Sequence, residues 1–220
     1  MRIAILLFAL TAFAQVNDFG PQSPAFAPVT DQPGLPRVLL IGDSISIGYT
    51  VTVRKELAGK ANVHRIPENG ADTANGLKKI DSWLGDSHWD VIHFNWGLHD
   101  LKVTADGGRQ VPIDAYEKNL VDLVARLKKT GAKLIWATTT PVPEGKQNPV
   151  RESADAAKYN AVARRVMESN GMRIDDLYRA VLPRIAEVQI PSNVHFNQGG
   201  WEFLGHRVAM AILAELGSNN

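Results

Sequence analysis

From Arg37 onward the chain alternates short apolar runs with segments whose apolar residues recur every three or four positions. Val38-Leu39-Leu40-Ile41 is an unbroken apolar run with β-branched residues at both ends, the pattern of a strand covered on both faces in a parallel sheet. Gly42 stops it. Further strands are expected at Asn62–Ile66, Trp89–Trp96, Leu134–Ala137 and Met172–Ile174. Helices are expected over Val51–Ala58, Thr73–Leu84, Asp114–Lys129, Ala154–Met167 and Gly200–Leu216. Leu120, Leu123, Val124 and Leu127 mark the buried stripe of the clearest one. Strands alternating with helices over this length predict an α/β fold of three layers, with a parallel sheet of about five strands.

The first 36 residues break this rhythm. Met1-Arg2, the apolar stretch Ile3–Leu10 and the small-x-small Ala12-Phe13-Ala14 have the three parts of a secretory signal peptide. Residues 1–14 are therefore expected to be cleaved. Residues 15–36 hold Pro21, Pro24, Pro28, Pro33 and Pro36 and are expected to run as an extended leader over a domain spanning 37–217.

The chain has 24 basic and 23 acidic residues among 220. Loss of Arg2 with the signal would leave 23 of each, so neither nucleic acid nor an acidic membrane surface is an expected partner. No apolar run is long enough for stable membrane insertion. Cysteine is absent, which excludes disulfides, thiolate metal sites and a cysteine nucleophile. An export signal without disulfides suits a bacterial periplasmic or secreted enzyme. No histidines and carboxylates stand at metal-binding spacing, and neither metal nor cofactor is expected. Oligomeric state is left open.

Four places bear chemistry. Ser44 follows Gly42-Asp43 at a strand end, where a nucleophile would face the ligand-binding edge of the sheet, and where a serine can equally cap a helix. His195 lies on a loop before the last helix and could reach that edge, or simply bond to nearby backbone. Asn95-Trp96-Gly97-Leu98-His99-Asp100 leaves a strand with two possible side-chain donors, Asn95 and His99, or with a turn that Asp100 caps. Asn69-Gly70 follows the second strand and reads as a turn or as a source of one backbone donor. Asp43 is expected to organise the turn after the first strand. Trp96 and Trp201 adjoin these places and are read mainly as core.

Gly42-Asp43-Ser44-Ile45, Gly70, Gly97-Leu98-His99-Asp100 and Val194-His195-Phe196 together resemble the four sequence blocks of the SGNH (GDSL-type) hydrolases, over roughly Arg37 to the C-terminus. The resemblance implies a flavodoxin-like α/β/α fold without a lid domain. It implies Ser44 as nucleophile, His195 as general base and then acid, and an oxyanion hole made by the N–H groups of Ser44 and Gly70 and a side chain of the third block. Two positions depart from the pattern. His99 stands where the family has asparagine, with Asn95 as fallback donor, and a titratable donor there predicts pH sensitivity near neutrality. Ser192 stands where the family commonly has the triad aspartate, so Ser192 or a carbonyl would orient the base. The activity so implied is secreted serine-esterase hydrolysis of small acyl, especially acetyl, esters on glycans or other small molecules. A lipase, thioesterase or acyltransferase on the same fold, and an impaired carbohydrate-binding protein, are the alternatives.

Overall fold

The computed structural model describes residues 18–217; the signal-peptide expectation lies outside them. Five strands form one parallel sheet: β1 (Arg37–Ile41), β2 (Asn62–Arg65), β3 (Val91–Phe94), β4 (Lys133–Ala137) and β5 (Arg173–Asp175). Their order is β2-β1-β3-β4-β5. This is the flavodoxin-like arrangement, in which the chain reverses direction across the sheet between β1 and β3 and opens a crevice at the carboxyl ends of those strands. β1 is fully covered from Val38 to Ile41, as its unbroken apolar run requires.

The helices are α1 (Ser44–Glu56), α2 (Thr73–Leu84), α3 (Ile113–Lys128), α4 (Ser153–Ser169), the short α5 (Leu177–Val181) and α6 (Ile185–Val188), and α7 (Gln198–Leu216). α1 packs on α7, while α2, α3 and α4 pack in succession. Three differences from the expected elements matter. α1 begins at Ser44, not Val51, because Asp43 caps it: its Oδ1 accepts from the Ile45 N–H at 2.9 Å. β3 ends at Phe94, freeing Asn95 and the residues after it for a loop. α5 and α6 fall where no element was expected, being too short for a periodic pattern.

Glycines set the α1–α7 contact. A Cβ on Gly48 of α1 would lie 2.5 Å from the Trp201 ring of α7, and one on Gly205 of α7 would lie 2.4 Å from Thr52 of α1. A helix-interior glycine costs roughly 1 kcal/mol relative to alanine. Here it lets two helices approach closely, and that approach brings the start of α7 to the start of α1.

The leader is tied down along its described length. Pro24–Phe26 form a 3-10 turn capped by Ser23. Arg54 Nη1 donates to the Pro24 carbonyl at 3.2 Å, and the Arg65 guanidinium lies 4.8 Å from the Phe26 ring centroid. Asn62 exchanges hydrogen bonds with the backbone of Gln32 at 2.8 and 3.1 Å.

Candidate active site

Ser44 is the first residue of α1, so its N–H has no intrahelical acceptor and lies at the positive end of the helix. Asp43 has the capping role open to either residue, which leaves the Ser44 hydroxyl free. Its Oγ lies 2.9 Å from His195 Nε2. The loop before α7 is held by its own backbone and side-chain hydrogen bonds. Ile190 N–H donates to the His195 carbonyl at 3.0 Å, His195 N–H to Asn193 Oδ1 at 3.0 Å, and Gln189 Nε2 to the Val194 carbonyl at 3.1 Å. Phe19 of the leader stacks on the imidazole, with centroids 4.5 Å apart and planes 27° from parallel. Burial pushes the His195 pKa down, outweighing the pull of Asp43, and Arg151 adds to the depression. The imidazole is therefore neutral at pH 7 and able to take a proton from Ser44.

Both groups open on a cleft of about 470 Å³ that also meets Phe19, Asn69, His99, Lys102, Asn148 and Arg151. His99 enters from the loop after β3. Its Nδ1 lies 2.9 Å from Lys102 Nζ, and its Nε2 lies 4.0 Å from Asp43 Oδ2. Burial, more than any charge, lowers its pKa. Its protonation is therefore shifted to more acid pH than that of an ordinary histidine. Asp100 turns away from the cleft and accepts from the N–H and the hydroxyl of Thr73, joining this loop to the start of α2. Burial pushes its pKa up to about 7.

Three expected roles do not match the geometry. Gly70 N–H donates to the Gly42 carbonyl at 2.9 Å, so it is already engaged. A Cβ there would lie 2.9 Å from the same oxygen, and the close approach of two backbone segments accounts for the glycine. Asn95 spends its amide on the Ala137 carbonyl at 2.7 Å and Thr139 Oγ1 at 3.3 Å, so it points into the β4 side and not toward Ser44. Ser192 is exposed, with a positive φ of 52°, and its hydroxyl lies against Gly145 with no hydrogen bond to His195. Among the described residues no carboxylate forms an ion pair with His195.

The sequence profile of the GDSL-like lipase/acylhydrolase family matches residues 40–202. The chain belongs to this family. Solved structures share the fold. The acetyl xylan esterase AlAXEase has a TM-score of 0.69 at 19% identity, over 80% of this chain and 99% of its own. A lipase/acylhydrolase from Enterococcus faecalis has a TM-score of 0.70 at 23% identity, over 82% and 96%. Axe2, an acetylxylan esterase from Geobacillus stearothermophilus, has a TM-score of 0.66 at 21% identity, over 83% and 94%. No curated protein sequence matches this chain.

The cleft also holds residues for which the sequence suggested no side-chain role. Asn69 lines it beside the engaged Gly70; its Oδ1 accepts from Ala71 N–H at 2.9 Å, which leaves its amide N–H groups available. Lys102 and Arg151 supply two cations, and Arg151 is fixed by donating to the Leu98 carbonyl at 2.8 Å. Lys102 had a local signal, three positions after His99. Phe19 had none. Trp96 is fully buried against Gly76, and neither it nor Trp201 lines the cleft.

Proposed function

We propose that the protein is an exported serine esterase that removes small acyl groups, acetyl foremost, from carbohydrates or similar polar esters. The 2.9 Å pairing of Ser44 Oγ with His195 Nε2 at the head of α1 is the observation that carries this reading. Ser44 Oγ attacks the ester carbonyl while His195 Nε2 takes its proton. The tetrahedral oxyanion develops toward the Ser44 N–H, with His99 Nε2–H and the Asn69 amide as the side-chain donors within the cleft. Collapse expels the alcohol, which takes the proton from His195. Water then attacks the acyl-enzyme with His195 again as base, and the acid and free Ser44 are released.

With no carboxylate paired to it among the described residues, His195 acts in a dyad, its loop held by hydrogen bonds and its ring covered by Phe19. The small-acyl preference is supported by a cleft walled largely by polar side chains, and by two structural neighbours described as acetyl xylan esterases. The signal-peptide pattern of residues 1–14 supports export.

One observation favours a second reading, a larger acyl or aryl group. An apolar recess of about 650 Å³, lined by Val142, Tyr178, Leu182, Ile185 and Ile190, meets the cleft at Ser192. A chain-length series of nitrophenyl esters separates the two, with acetate fastest on the first and longer chains on the second.

A fluorophosphonate should label Ser44 stoichiometrically. Ser44→Ala should abolish both labelling and ester turnover while leaving the unfolding midpoint unchanged. Turnover surviving in Ser44→Ala refutes the mechanism, and a wild-type protein that does not react is the impaired binding protein.

A further inference from the structure

His99 occupies the place of an asparagine, and the substitution creates a problem that asparagine does not have. An amide always carries N–H groups, whereas a neutral imidazole carries one, on either nitrogen. Only the Nε2–H form presents a donor at the Ser44 end of the cleft, because Nε2 is the atom that faces Asp43.

Lys102 decides between the two forms. An ammonium donates and never accepts, so at 2.9 Å from Lys102 Nζ, His99 Nδ1 must be the bare, accepting nitrogen. The proton is then on Nε2. The contact is built by the backbone: the turn of residues 97–102 closes with Leu101 N–H on the Gly97 carbonyl and Lys102 N–H on that of His99, folding Lys102 back over the ring. Val103 N–H on the Val150 carbonyl and Arg151 on Leu98 fasten the turn to the loop after β4. Lys102 has no carboxylate partner among the described residues. A half-buried ammonium whose polar contact is an imidazole nitrogen suits a device for orienting that ring.

We infer that Lys102 is a positioning residue that holds His99 as the Nε2–H tautomer, so that an imidazole can replace the asparagine amide as oxyanion donor. The charges around the ring agree with a neutral imidazole. Lys102 and Arg151, from the loops after β3 and β4, oppose its protonation; Asp43 at the head of α1 and Asp72 before α2 favour it; burial outweighs them all. The kinetic consequence rests on the esterase reading, but the tautomer does not.

Long-range 1H–15N correlation spectra of 15N-labelled protein at pH 7 read the tautomer directly, with the His99 signals assigned by their loss in His99→Asn. The expected spectrum has Nε2 protonated and Nδ1 bare. Lys102→Arg should retain it and Lys102→Met should lose the bias. Protonated Nδ1 in the wild type, or an unchanged tautomer in Lys102→Met, overturns the inference. On nitrophenyl acetate, Lys102→Met should lower kcat about tenfold, less than the roughly 10²–10³ that loss of a whole oxyanion donor costs, with KM little changed and kcat largely restored in Lys102→Arg. In the His99→Asn background the same substitution should cost several-fold less, since the amide needs no tautomer. Equal losses in both backgrounds overturn the inference. So does a loss confined to negatively charged esters, which would mean that Lys102 meets the substrate. If Ser44→Ala retains turnover, the esterase reading fails, and the spectra still decide the role of Lys102.

Discussion

The two histidines at the cleft are both buried enough to be neutral, yet they are held by opposite means. His195 is placed by close packing: α7 lies against α1 through Gly48 and Gly205, the loop before α7 is knotted by backbone hydrogen bonds, and Phe19 covers the ring. His99 is placed by polar contacts, with Lys102 on one nitrogen and Asp43 beyond the other. The distinction matches what each nitrogen is asked to do. In the proposed reaction Nε2 of His195 accepts a proton and returns it, which requires a ring that is neutral at rest and held in place. His99 must keep one proton in one place, which a permanent cation on its far side ensures. The packed half of the site can thus tolerate the absence of a carboxylate, while the polar half depends on a specific neighbour.

The largest expected effect compares the two rings directly. His195→Ala should lower kcat about 10⁴–10⁶-fold, as removal of the histidine of a serine hydrolase does. His99→Ala should cost about 10²–10³-fold, the loss of one oxyanion donor. Steady-state kinetics on nitrophenyl acetate, with thermal melts as controls for folding, measure both. Equal losses would erase the distinction between base and donor.

The next effect probes packing alone. Gly48→Ala places a methyl 2.5 Å from the Trp201 ring, and overpacking of this kind costs about 1–3 kcal/mol. The helices must separate, and the 2.9 Å Ser44–His195 contact should lengthen with them. Both the melting temperature and kcat should fall. Gly199→Ala, whose added methyl would meet only Asn197 Oδ1 at 3.5 Å, should change neither. A Gly48→Ala protein as stable and active as its parent would show that the helix contact does not set the site.

These two glycines also show which parts of the molecule the sequence could disclose. The strands were legible because burial on both faces writes itself as an apolar run, as in Val38–Ile41. The first half of α1 was not, because Ser44, Ser46 and Thr50 are buried along with Ile45, Ile47 and Tyr49; a helix start enclosed on all sides has no polar face to set a period. That Ser44 and His195 meet was legible through their blocks, although α5 and α6 separate His195 from the last strand. The donors were less so, since whether a backbone N–H is free depends on what crosses it. Gly42 takes that of Gly70, and Ala137 takes the amide of Asn95. Ser192 stands three residues before His195, yet the ring stacked on the imidazole is that of Phe19, near the other end of the chain.

That contact sets the smallest effect and the finest distinction. Phe19 stacks on His195 and meets Trp201 edge-on at 5.9 Å. A ring stacked there offers two roles, orienting the imidazole and keeping water from one face. Burial is the main cause of the low His195 pKa, so Phe19→Ala should admit water and raise that pKa toward the ordinary histidine value. A higher pKa means less neutral imidazole at a given acid pH. The acid limb of the kcat/KM profile should therefore move to higher pH, and the plateau should fall about two- to tenfold, matching the roughly 0.5–1.5 kcal/mol a ring pair contributes. Phe19→Leu, apolar but unable to stack, separates the two roles. It should keep the limb nearer its wild-type position while losing plateau rate. If neither variant moves the limb or the plateau, the leader merely lies over the site, and His195 is held by its loop alone.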